Sequence, residues 1–318
     1  MTILRSKLRL AVTLAAALAV VPVGLLVNTA SAETNPPARQ DVVRTDAGLV
    51  ASKAVGQARV FDRIPYAAPP VGALRWKAPQ PVKPWDGVRA SNLGNVCAQQ
   101  PNSEAPNGSA AEDCLYLNIT TPAAPSAKPR AVVVWIPGGG FFTGAGNSYE
   151  ASKFAARGDV VVVTVNNRLG IFGFFGYPGL PGSGTYGLQD QQAALRWVQR
   201  NARAFGGDPR NVTVAGESAG GMSVCAQLTS PTSTGLFAKA IMQSGSCAFN
   251  WADNSQYPGQ AANSPWIPAS TVQANGKEWA DDSMAKLACK PGQSMLDCLR
   301  AAKYDVLVED TLNFTQIG

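Results

Sequence analysis

Val212-Thr213-Val214-Ala215-Gly216-Glu217-Ser218-Ala219-Gly220-Gly221-Met222 reads as a β-strand that turns at a serine and restarts as a helix. Asn211 to Ala215 carries the apolar, β-branched character of a short buried strand, and Ala219 to Leu228 is made of good helix formers. Between them, Gly216-Glu217-Ser218-Ala219-Gly220 has the form G-x-S-x-G. A turn this sharp strains the backbone at the serine and lifts its hydroxyl clear of the sheet, and the flanking glycines leave room for it. The amides of the helix that follows favour negative charge at the same point. Five residues of this kind arise easily by chance, so the strand before and the helix after decide the reading.

Outward from this turn, strands and helices alternate. Ala131 to Ile136 and Val160 to Val165 are continuous β-branched runs, as in buried strands. Leu188 to Ala204 places Leu188, Leu195, Val198 and Ala202 on one helical face, and Ala238 to Gln243 reads as a further strand. The alternation predicts an α/β fold, a mostly parallel sheet with helices on both faces. Gly138-Gly139-Gly140-Phe141 follows the strand Ala131 to Ile136. Glycines let backbone N–H groups approach a carbonyl oxygen that gains negative charge during acyl transfer, and one such donor is worth roughly 3 kcal/mol of barrier. Residues 61–86 read as an extended, proline-rich segment, Gln99 to Ala111 as a small polar surface loop, 252–275 as a surface insertion and 277–303 as helical pieces.

The N-terminus predicts an exported protein. Arg5, Lys7 and Arg9 precede an apolar stretch from Ala11 to Val27, and Ala30-Ser31-Ala32 supplies a cleavage site. Residues 1–32 are thus a secretory leader and 33–318 the mature chain, with an extracellular location. Taking three basic residues from 27 leaves 24 against 21 acidic ones, a net charge of +3 with no basic stripe, which argues against nucleic acid. Beyond the leader no stretch is apolar enough to anchor in a membrane. Cys97, Cys114, Cys225, Cys247, Cys289 and Cys298 suggest disulfides, as expected outside the cell. No metal site and no cofactor are expected. The chain contains no histidine.

Four stretches together resemble the type-B carboxylesterases, the family of the cholinesterases and the bacterial para-nitrobenzyl esterases. They are Phe205-Gly206-Gly207-Asp208-Pro209 through Gly220; Glu112-Asp113-Cys114-Leu115-Tyr116-Leu117-Asn118-Ile119; Ile64-Pro65-Tyr66-Ala67 with Pro69-Pro70-Val71-Gly72 and Leu74-Arg75; and Met242-Gln243-Ser244-Gly245-Ser246. The likeness runs from about Ala47 to Trp251. It implies the α/β-hydrolase fold, a small-molecule carboxylic ester as substrate, Ser218 as nucleophile, and Gly139, Gly140 and Ala219 as donors to the oxyanion. It also implies Glu217 and Ser244 as groups near the catalytic base. A Cys97–Cys114 disulfide matches the family's first, and Cys289–Cys298 resembles a later one. Cys225 and Cys247 have no counterpart in that pattern; a disulfide between them and two buried thiols are both open.

Three positions depart from the family. Pro137 stands where His or Tyr usually precedes the glycines, Asn167 replaces the usual Tyr before Arg168, and the Cys97 to Cys114 loop lacks the Trp that would cradle a quaternary ammonium. The last argues against a cholinesterase. In this fold the serine is followed by an acid and then a histidine. Both are expected beyond Gly318, which makes residues 33–318 the N-terminal part of one carboxylesterase domain. The alternatives to an esterase are a non-catalytic, adhesion-type relative and an inactive truncated product.

Overall fold

The valine-rich runs of the sequence become the middle of one sheet. A computed structural model describes residues 41–103, 105–248, 250–254, 259 and 261–311; the expected leader lies outside the described residues. The strands are β1 (Val42–Arg44), β2 (Leu49–Ala51), β3 (Lys53–Val55), β4 (Ala58–Pro65), β5 (Val88–Arg89), β6 (Tyr116–Pro122), β7 (Arg130–Ile136), β8 (Val161–Val165), β9 (Gly207–Glu217) and β10 (Lys239–Gln243). The helices are α1 (Ser152–Gly158), α2 (Gly170–Phe174), α3 (Tyr186–Asn201), α4 (Ala219–Thr229), α5 (Ala269–Asp282), α6 (Met284–Leu287), α7 (Met295–Ala301) and α8 (Tyr304–Val308).

Seven strands form the main sheet in the order β10-β9-β7-β8-β6-β4-β3, and β1, β2 and β5 form a separate small sheet. The pairs β10–β9, β9–β7 and β7–β8 are parallel; β8–β6, β6–β4 and β4–β3 are antiparallel. The parallel half carries the serine turn, and its connections through α1, α3 and α4 are the expected strand–helix alternation. All five residues of β8 and all seven of β6 are buried, as in strands covered on both faces. Val132, Val134, Ile136, Val163, Val212, Val214, Leu195 and Val198 share one core cluster, joining the central strands to α3. No helix among the described residues is long and apolar enough to cross a membrane.

Four segments differ from their sequence reading. Phe61 to Pro65 belongs to the strand β4 rather than to a loop-rich segment, because Phe61 and Ile64 fill the core. The expected insertion 252–275 ends in helix from Ala269, with Val272 and Ala280 turned inward. The helix expected to reach Ala204 ends at Asn201 and tightens into a 3₁₀ turn, Ala202–Phe205, before Gly206 at φ +82°. Gln99, expected on a surface loop, is fully buried.

All six cysteines pair: Cys97–Cys114, Cys225–Cys247 and Cys289–Cys298. The alternative left open for Cys225 and Cys247 is decided by α4 packing beside the segment that follows β10. The 17-residue separation of the first pair corresponds to about 3 kcal/mol in the loop-entropy account.

Arg168, just after β8, meets Asp190 on α3. Its Nε donates to Asp190 Oδ2 at 2.8 Å, its Nη2 to Oδ1 at 2.7 Å, and its backbone N–H to Oδ2 at 3.0 Å. Burial pushes the Asp190 carboxyl above the usual carboxylate range while Arg168 pulls it down. Asp190→Ala leaves a guanidinium buried without its counter-charge. We expect a loss of about 3–5 kcal/mol, read as a lowered midpoint of urea unfolding. A midpoint shift corresponding to less than about 1 kcal/mol would show that water solvates Arg168 in the variant.

Candidate active site

Ser218 stands between the end of β9 and the start of α4 with φ +54° and ψ −122°. An L-residue holds such a backbone only when its surroundings enforce it, at a cost of about 1–3 kcal/mol. The enforcing contacts are backbone to backbone. Ser218 N–H donates to Gln243 O of β10 at 2.9 Å, and Met222 N–H donates to Ser218 O at 3.0 Å. A methyl at Gly216 would lie 2.4 Å from the backbone of Gly220, and one at Gly245 would lie 2.6 Å from Ser218 O. Among the described residues the Ser218 hydroxyl has no hydrogen-bond partner, and with no histidine in the chain no imidazole stands beside it.

The glycine segment after β7 meets this turn. A methyl at Gly138 would lie 3.3 Å from Ser218 Cβ and 2.9 Å from Glu217 Oε2. Gly139 and Gly140 hold φ +106° and +61°, and Phe141 follows at +68°. Gly139 O accepts from the amides of Phe142 (3.2 Å) and Thr143 (2.9 Å) and from Thr143 Oγ1 (3.0 Å), so the loop folds back on its own carbonyl. The amides of Gly139, Gly140 and Ala219 donate no hydrogen bond among the described residues. Phe141 anchors the loop from beneath: Gly170 N–H donates to its O at 2.7 Å, and its ring meets Phe174 edge-on at 5.2 Å. The arrangement offers a hydroxyl on a rigid turn beside uncommitted backbone donors, the parts that acyl transfer needs apart from its base.

The other sequence candidates are placed unevenly. Glu217 is half-buried with its carboxylate against Gly138. Ser244 is exposed in the left-handed region, φ +50°, at the end of the edge strand β10; it is the next residue, Gly245, that touches the turn. Asn167 acquires a physical account. Its Oδ1 accepts from Gln191 Nε2 at 3.3 Å and its Nδ2 donates to Arg168 O at 2.9 Å. Gln191 also donates to Ser223 Oγ of α4 at 3.0 Å, tying α3 to the serine helix. Asn167, Gln191, Ser223, Gly138 and Ala219 border a void of about 10 Å³ behind the turn, the size of one water. Roomier clefts of about 360 and 580 Å³ run along α3, and Ser218 lines neither. Backbone geometry, not cavity size, marks the site.

Comparison with known proteins shows the family. Residues 39–318 match the family model described as "Carboxylesterase family". The chain is 48% identical over 215 residues to the para-nitrobenzyl esterase of Bacillus subtilis (strain 168), covering 64% of this chain and 43% of that protein. It is 39% identical over 302 residues to human carboxylesterase 3, covering 89% of this chain and 50% of that protein. Among solved structures, a Geobacillus stearothermophilus carboxylesterase superposes with a TM-score of 0.71 at 38% identity, over 85% of this chain and 53% of the other. The chain thus spans about half the length of the relatives it matches.

Proposed function

The chain belongs to the carboxylesterase family, and on that premise we propose that it carries the nucleophile half of a serine esterase site. Ser218 attacks the carbonyl of a carboxylic ester and holds the acyl group covalently until water releases it. The amides of Gly139, Gly140 and Ala219 stabilise the oxygen that becomes negative in each step. Ala219 opens α4, so the helix N-terminus adds its dipole there. Glu217, against Gly138, fixes the spacing between the serine turn and the glycine loop; Ser244 acts through the position of Gly245. The observation that carries this reading is Ser218 in a strained backbone within touching distance of Gly138. Three disulfides and the leader-like N-terminus support action outside the cell.

The absence of histidine supports the other half of the proposal. The base that takes the Ser218 proton is then a group this chain does not supply, and the chain by itself is inactive. A non-catalytic binding relative on the same scaffold is the second reading, favoured by that same absence. Organophosphonate labelling of the native gene product, followed by peptide mapping, separates them. Label on Ser218, lost in Ser218→Ala, is the expected result. Label on another serine overturns the assignment, and no label at all supports the binding scaffold.

A further inference from the structure

The glycine loop leaves the serine turn at Gly138 and returns to the body of the protein at Gly144, and one side chain from a distant segment holds that return. Gln99 lies between the disulfide partners Cys97 and Cys114 and is fully buried. Its Oε1 accepts from Gly144 N–H at 3.1 Å while its Nε2 donates to Gly144 O at 3.2 Å, so amide faces amide across two bonds. The remaining donor goes to Cys97 O at 2.9 Å, and the remaining lone pair accepts from Asn102 Nδ2 at 2.9 Å. Both donors and both acceptor positions of the carboxamide are therefore used.

The Gln99 backbone is fixed as firmly. It exchanges two 2.9 Å bonds with Ser109, and its carbonyl also accepts from Tyr304 Oη at 2.8 Å. At the other end, Gly144 sits at φ +116° with a methyl position 2.3 Å from Gly138 O, so fixing Gly144 fixes Gly138. Gly138 in turn abuts Glu217 and Ser218.

We propose that Gln99 is a positioning residue for the esterase site: it clamps Gly144 and thereby holds the Gly139 and Gly140 amides in register with Ser218. Its functional part rests on the oxyanion role argued above. Without the clamp, Gly144 N and O are buried without partners and the loop opens to find water.

Gln99→Met keeps the length and flexibility of the side chain, buries no charge and removes both bonds to Gly144. Asn102→Ala is the control: it removes the Asn102 bonds to Gln99 Oε1, Gln100 O and Ala105 N–H while leaving the two between Gln99 and Gly144. By hydrogen–deuterium exchange of the 318-residue chain, peptides covering 138–145 should exchange at least about 10-fold faster in Gln99→Met, with 216–222 unchanged and Asn102→Ala like wild type. Unchanged exchange at 138–145, or equal acceleration throughout the protein, overturns the clamp. In the native gene product, kcat for p-nitrophenyl acetate should fall about 10-fold or more with KM within about twofold, since a displaced donor is missed in the transition state rather than on binding. Faster loop exchange with unchanged kcat overturns the catalytic part. A wild type without turnover counts against the esterase reading, while the exchange comparison still decides the clamp.

Discussion

The 318-residue chain, expressed alone, is expected to hydrolyse p-nitrophenyl acetate no faster than its Ser218→Ala variant. A serine hydroxyl is a poor nucleophile until a neighbouring base takes its proton, and the chain has no histidine to do so. A carboxylate is a feeble substitute at neutral pH, because its ordinary pKa is about 4. In subtilisin, removing the histidine alone costs about 10⁶ in kcat, as much as removing the whole triad. Uncommitted amides at Gly139, Gly140 and Ala219 would still stabilise an oxyanion formed by attack of water, but that residue of catalysis does not pass through Ser218. Material will be hard to keep in solution. β10 is an edge strand with Ile241 46% and Met242 40% exposed, a surface that invites pairing with another chain. Robust turnover that vanishes in Ser218→Ala would mean that some other group within these residues acts as base, and the proposed division of the site would be wrong.

The division between what the sequence revealed and what it hid follows the distance over which each feature is determined. The turn at Ser218 was legible because strand, glycines and helix are contiguous and the strain is local. The parallel strands were legible because β7, β8 and the apolar part of β9 are runs of valine and isoleucine that only a covered sheet can bury. β6 was not read as a strand. Its buried residues include Asn118, Thr120 and Thr121 on both faces, and polar residues buried this way give neither alternation nor an apolar run. Phe61 to Pro65 was hidden by the proline that ends it. The parallel half of the sheet was therefore anticipated and the antiparallel half was not.

The same distinction holds inside the site. Nothing near Gln99 announces that its partner is Gly144, 45 residues away, and a glutamine in a polar stretch reads as solvated until the fold buries it. Asn167 looked like an unexplained departure because its partner Gln191, 24 residues on, lies on α3 and reaches in turn to Ser223 on α4. Ser244 was expected beside the base on resemblance. Its position is set by the end of an exposed edge strand, where sequence carries least information about direction.

Gly220→Ala is expected to slow labelling of Ser218 about 100-fold while leaving a folded protein. Its Cβ would fall 2.1 Å from Ile136 O and 2.8 Å from Pro137 O, both backbone oxygens at the end of β7. Neither can swing aside, so α4 and β7 must move apart by something near an ångström. That gap opens between the residue two after the nucleophile and the residues just before the glycine loop, so the hydroxyl separates from Gly139 and Gly140. A misplacement of this size costs about 10²-fold in rate. Overpacking adds about 1–3 kcal/mol of destabilisation, well short of unfolding an ordinary domain. Gly220 is not in the left-handed region, so the whole effect is steric. Gly235→Ala reverses the situation: its φ is +79° but nothing lies within 4 Å, so it should lose about 1–2 kcal/mol from backbone strain with labelling intact. The two variants of the native gene product are compared by labelling rate with an organophosphonate and by thermal melting. If Gly220→Ala labels as fast as Gly235→Ala, the contact between α4 and β7 does not hold the two parts of the site together.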